Sequence, residues 1–87
     1  MEYTVPIMDV IANRVCGKCL ARLRKSAGLT QLDVARRLDV PQSFVSKIET
    51  GERSLKLYEQ FSYAKALNLD VHELVSNLQN ALDNLSR

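Results

Sequence analysis

Residues 30–51, TQLDVARRLDVPQSFVSKIETG, hold two short helical patterns separated by one abrupt break. Thr30 followed by Asp33 sets an N-cap hydroxyl three residues ahead of a carboxylate, a capping box with Asp in the Glu position. Leu32, Val34, Ala35 and Leu38 then supply the buried side of a helix ending near Leu38. Asp39-Val40-Pro41 interrupts it, because proline disfavours helical geometry in the residue before it and fits the start of a following helix. The second helix is predicted over about Gln42–Thr50, with Val45 and Ile48 inward, Phe44 at the edge and Gly51 as the stop. Its other face, Gln42, Ser43, Ser46, Lys47 and Thr50, is polar. So tight a junction holds the second helix at a fixed angle, as a surface read from outside the protein requires.

The flanking sequence fits one all-α domain. Spacing of Cys19, Leu20, Leu23 and Ala27 predicts a first core helix over 18–27, stopped by Gly28. Leu55, Leu57, Phe61, Ala64 and Leu67 mark a fourth helix over about 57–67, with Tyr58 and Tyr63 beside its apolar stripe. Asp70 and Glu73 repeat the capping-box pattern ahead of Val71, Leu74, Val75, Leu78, Ala81, Leu82 and Leu85, a long last helix whose apolar stripe exceeds what one docking needs. The surplus predicts a partner helix. The expected organisation is an N-terminal extension over 1–15, as helix or arm with helix preferred, a domain built around the two-helix joint over 16–78, and a C-terminal dimerisation helix over 70–87.

Eighty-seven residues suffice for one ordinary core. No apolar run approaches the roughly 20 residues that span a bilayer, and the N-terminus lacks a basic start ahead of an apolar block, so a cytoplasmic location is expected. The net charge of +2 is unevenly spread. Residues 16–53 hold eight Lys or Arg against four Asp or Glu, whereas the segments on either side are each at −1. A basic middle is compatible with phosphate partners, and equally with an ordinary solvated face.

Residues 23–78 resemble the five-helix DNA-binding domain of the lambda-repressor-like, or Xre/Cro, helix-turn-helix family. The likeness is carried by Arg24, Gly28, Leu29, Thr30-Gln31, Ala35, Leu38, Val40, Ser43, Val45, Ser46, Ile48-Glu49, Gly51, Ala64, Ala66-Leu67 and the opening LDVHEL of the last helix. It implies that Gln42, Ser43, Ser46 and Lys47 contact base edges in the major groove of double-stranded DNA. Helix capping is the alternative for Gln42 and Ser43, and phosphate contact for Lys47. Phe44 either meets a thymine methyl or stays against the core. Gln31, Arg36, Thr50 and Arg53 are the implied phosphate contacts; at least one of Arg36 and Arg37 is expected to be merely solvated. Arg24 and Glu49 are the implied structural ion pair. The loop ETGERSLKL departs from the family pattern, with Thr50 where Asn is common and Glu52 where a basic residue is common.

The expected function is a sequence-specific transcriptional regulator, a repressor binding an inverted repeat as a homodimer through Leu78, Leu82 and Leu85. The rival is a protein-interaction module, such as an antitoxin gripping a toxin through the last helix. The recognition face favours DNA, since a protein contact would want more aromatics than Phe44. Cys16-Gly17-Lys18-Cys19 spells a C-x-x-C, but one histidine and no second cysteine pair leave a zinc site short of ligands. Two reduced thiols are expected, redox control of DNA binding being the minor alternative. No metal, cofactor or catalytic set is predicted, and His72 is expected to be exposed or to serve the last helix's first turn.

Overall fold

The computed structural model describes residues 7–86. Five α-helices, α1 (Ile7–Ser26), α2 (Gln31–Leu38), α3 (Gln42–Thr50), α4 (Leu57–Ala66) and α5 (Val71–Asp83), are followed by a 3-10 turn at Asn84–Ser86. No strand occurs among the described residues, and no described helix is long and apolar enough to cross a membrane. α1 packs against α3 and α5, α2 against α3 and α4, and α4 against α5. Leu20, Val34, Ala35, Val45, Ile48, Tyr63, Ala64, Ala66, Leu67 and Leu74 form the core.

Local chemistry sets the helix boundaries. Thr30 Oγ1 accepts from the Asp33 N–H while Asp33 accepts from the Thr30 N–H, closing the expected box at α2. At α5, Asp70 accepts from the His72 N–H and donates its own N–H to Glu73. Only three residues separate α2 from α3. Asp39 takes the left-handed conformation, φ 57, and its N–H returns to the last turn of α2. Proline then opens α3 without a side-chain cap.

The approach of α1 to α3 depends on Gly17. A Cβ at that position would stand 2.5 Å from the Glu49 carbonyl oxygen and 2.6 Å from that of Ile48. Both are backbone atoms and cannot swing aside. At Gly51, φ 85 and the nearby Arg14 backbone impose the same residue type.

Three expectations need correction. The predicted inner stripe of α4 is only half right: Ala64 and Leu67 are buried, but Tyr63 and Ala66 share their face, and Leu57 and Phe61 point outward. Tyr63, one of the largest fully buried side chains, stands in the core where the stripe had placed Phe61. On α2, Leu32 is likewise exposed, leaving Val34 and Ala35 as its fully buried residues. The last helix stops at Asp83, and the longest helix is α1, to which residues 7–15 contribute the N-terminal half. Residues 1–6 of the expected extension, and Arg87, lie outside the described residues.

Gly17→Ala tests the close approach. Alanine gains about 1 kcal/mol in helix propensity, but overpacking against fixed backbone costs about 1–3 kcal/mol. Thermal melts should show net destabilisation; an unchanged or raised midpoint would refute the contact.

Candidate nucleic-acid interface

The polar face of α3 is held outward from below. Val45 and Ile48 are fully buried, which turns Gln42, Ser43 and Lys47 to solvent and leaves Ser46 half-covered. The side chain of neither Gln42 nor Ser43 caps α3, whose N-cap is Pro41. Lys47 forms no ion pair among the described residues.

Beneath this face, Arg24 from α1 meets Glu49 from α3 in a two-point contact, Nε to Oε2 at 2.7 Å and NH2 to Oε1 at 3.1 Å. The two side chains are 11% and 7% exposed. Arg24 also donates to the Leu29 carbonyl at 2.8 Å, so the turn before α2 joins the same group. Hydrogen bonding to Glu49 holds the Arg24 guanidinium charged even more firmly than usual. Glu49 accepts a third bond, from the Gln31 side-chain amide at 2.9 Å, and the Gln42 amide reaches Gln31 Oε1 at 3.5 Å. A polar chain thus runs from the buried end of α1 to the exposed start of α3. Tyr63 buries its hydroxyl without a hydrogen-bond partner; burial first, then the Glu49 charge, keep that hydroxyl protonated far above the usual range.

The four residues read as phosphate contacts fall into different settings. Gln31 sits in the first turn of α2, where unpaired N–H groups and the helix dipole favour an anion. Arg36 is exposed. Thr50 is exposed and donates its hydroxyl to the Lys47 carbonyl at 3.2 Å. Arg53 is engaged within the fold: it meets both Glu59 oxygens at 2.9 and 3.0 Å, donates to the Ser54 carbonyl, and lies 4.3 Å above the Phe44 ring. Phe44 is therefore half-buried beneath a guanidinium, packed against the core. Arg37 donates to the Ala66 carbonyl and to Asn68, capping the end of α4.

Sequence reading missed the Arg53–Glu59 clamp and the Arg37 cap. Glu59 also accepts the Lys56 N–H at 2.8 Å, and K-x-x-E at the head of α4 was the available signal. Arg37 had none, because its partners are about thirty residues away. Of the three leucines assigned to dimerisation, Leu78 packs on the core while Leu82 and Leu85 are half-buried. Cys16 is half-buried and Cys19 buried; both are free thiols, their pKa values raised chiefly by burial. His72 is exposed, and no group of three potential metal ligands occurs among the described residues.

Comparison with known proteins points to one family. The helix-turn-helix family model matches residues 20–74. The uncharacterised HTH-type transcriptional regulator y4dJ of Sinorhizobium fredii is 35% identical over 63 residues, 72% of this chain and 82% of the relative. The restriction-modification controller protein C.AhdI from Aeromonas hydrophila superposes with a TM-score of 0.65 at 31% identity, over 70% of this chain and 92% of its own. The controller C.Esp1396I, solved as a tetramer with its natural 35-base-pair operator, shares the fold with a TM-score of 0.74 at 20% identity, over 82% and 93% of the two chains.

Two predictions follow from these contacts. Arg24→Met should cost about 3–5 kcal/mol of unfolding free energy by leaving Glu49 buried and unpaired, and Arg24→Met with Glu49→Leu should recover much of it. Denaturant titration of the three proteins decides this; a fully stable Arg24→Met variant would refute the structural pair. Glu59 has a lowered pKa, first through its hydrogen bonds from Arg53. Its stabilisation is fully present above the ordinary glutamate value and is lost as pH falls through the lowered one. The gap in melting temperature between wild type and Glu59→Gln should be steady near neutrality and close on acidification.

Proposed function

Because this chain belongs to the Xre-type, lambda-repressor-like helix-turn-helix family of transcriptional regulators, whose members here are not enzymes, we propose that it represses transcription by binding an inverted-repeat operator as a homodimer. The observation that carries the reading is the outward face of α3. Gln42, Ser43 and Lys47 stand exposed on a helix anchored from below, and that helix is of a size to enter the major groove, where base edges distinguish all four pairs. Gln42 pairs with adenine through its amide, Lys47 donates to guanine acceptors, and Ser43 and Ser46 add shorter contacts. Gln31 with the start of α2, Arg36 and Thr50 meet the flanking phosphates. Arg53 acts there through the loop it orders.

The homodimer draws support from the fold neighbour crystallised as a tetramer on its operator. Two-fold symmetry places two half-sites about 10 base pairs apart, centre to centre, when both heads lie on one side of the duplex. The half-buried leucines of α5, Leu78, Leu82 and Leu85, form one surface for the contact; α4 offers a more exposed one.

Selection of bound duplexes from a random library near physiological salt tests the reading. An inverted repeat should be enriched, and Gln42→Ala or Lys47→Ala should weaken binding to it by roughly tenfold or more. A folded protein that enriches no sequence would overturn it in favour of the antitoxin-like protein-binding alternative.

A further inference from the structure

Arg53 stands at the rim of the proposed reading face. Its backbone N–H returns to the Lys47 carbonyl at 3.2 Å, and its guanidinium lies 4.3 Å above the ring of Phe44, the neighbour of Ser43 on α3. A free guanidinium at such a rim is suited to a phosphate, which it grips through two parallel bonds. Here that grip is already closed on a carboxylate. One guanidinium nitrogen donates to Glu59 Oε1 at 2.9 Å and the other to Oε2 at 3.0 Å, and the first also donates to the Ser54 carbonyl at 3.1 Å.

We infer that Glu59 stands in for a DNA phosphate: by occupying the Arg53 guanidinium it keeps that cation out of the phosphate contacts and so lowers the affinity of the chain for duplex DNA. The inference rests on the DNA-binding reading above. A lone ion pair on an open surface is weak and would exchange readily in the field of a duplex. This pair differs in three respects.

Its side chains are only 31% and 17% exposed, Arg53 and Glu59 respectively, so water screens them less. Glu59 Oε1 also accepts the Lys56 N–H at 2.8 Å, which fixes the carboxylate at the head of α4 whether or not Arg53 is present. The Phe44 ring supports the guanidinium from its face, an attraction that is lost if the side chain swings out to a phosphate. Release would also leave the Glu59 carboxylate unpaired at the rim, repelling the phosphate that had taken its partner.

Fluorescence anisotropy of the full chain on a labelled duplex of arbitrary sequence, at several salt concentrations between roughly 50 and 200 mM, provides the test. The slope of log K against log salt changes by about 0.9 for each phosphate engaged. Glu59→Gln keeps an acceptor for the Lys56 N–H while freeing the guanidinium. It should tighten binding by roughly threefold to tenfold and steepen the slope by about 0.9. Arg53→Gln, which leaves the Glu59 cap in place, should keep the wild-type slope, and in its background Glu59→Gln should add little. A slope shallower by about 0.9 in Arg53→Gln would mean that Arg53 already meets a phosphate. A gain from Glu59→Gln that persists without Arg53 would be a bare effect of charge. Either result overturns the inference, as does a folded Glu59→Gln variant that binds like wild type. A folded wild type that binds no duplex even at low salt would instead overturn the DNA-binding reading itself.

Discussion

One buried carboxylate organises the recognition unit. Glu49 accepts from Arg24 on α1 and from Gln31 on α2 while standing on α3, and Arg24 adds the Leu29 carbonyl. Apolar burial drives these helices together but is indifferent to direction, whereas bonds of 2.7 to 3.1 Å are not. Such a pair adds little net stability, since desolvation offsets most of its attraction. Its contribution is angular. Gly17 makes the arrangement possible by letting the α1 backbone come close to the Ile48 and Glu49 carbonyls, which brings Arg24 within reach two turns further along.

The parts legible in the sequence were those fixed by chemistry within a few residues. The Thr30–Asp33 and Asp70–Glu73 boxes, Pro41 and Gly51 set the boundaries of α2, α3 and α5 because caps and stops act locally. The pairing of Arg24 with Glu49, twenty-five residues apart, came from family resemblance and not from spacing. The inner face of α4 was misread for a physical reason: 57, 61 and 64 make as good a helical stripe as 63, 64 and 67. Only the packed neighbours choose between them. Likewise, nothing near Arg37 in sequence announces that the Ala66 carbonyl will occupy it, and the K-x-x-E at the head of α4 marks Glu59 as a cap without naming Arg53 as its partner.

The engagement of Arg53 also changes the ion atmosphere of the surface on the DNA-binding reading. A cation already neutralised by its own carboxylate adds little to counterion release from a phosphate, so on that reading the polyelectrolyte contribution falls to cations without such a partner, Arg36 among them. If Arg53 stays so engaged on a duplex, affinity for arbitrary sequence would decline only gently with added salt. A regulator built this way gains discrimination by weakening its hold on the rest of the genome, and spends less of its time bound to the wrong sequence.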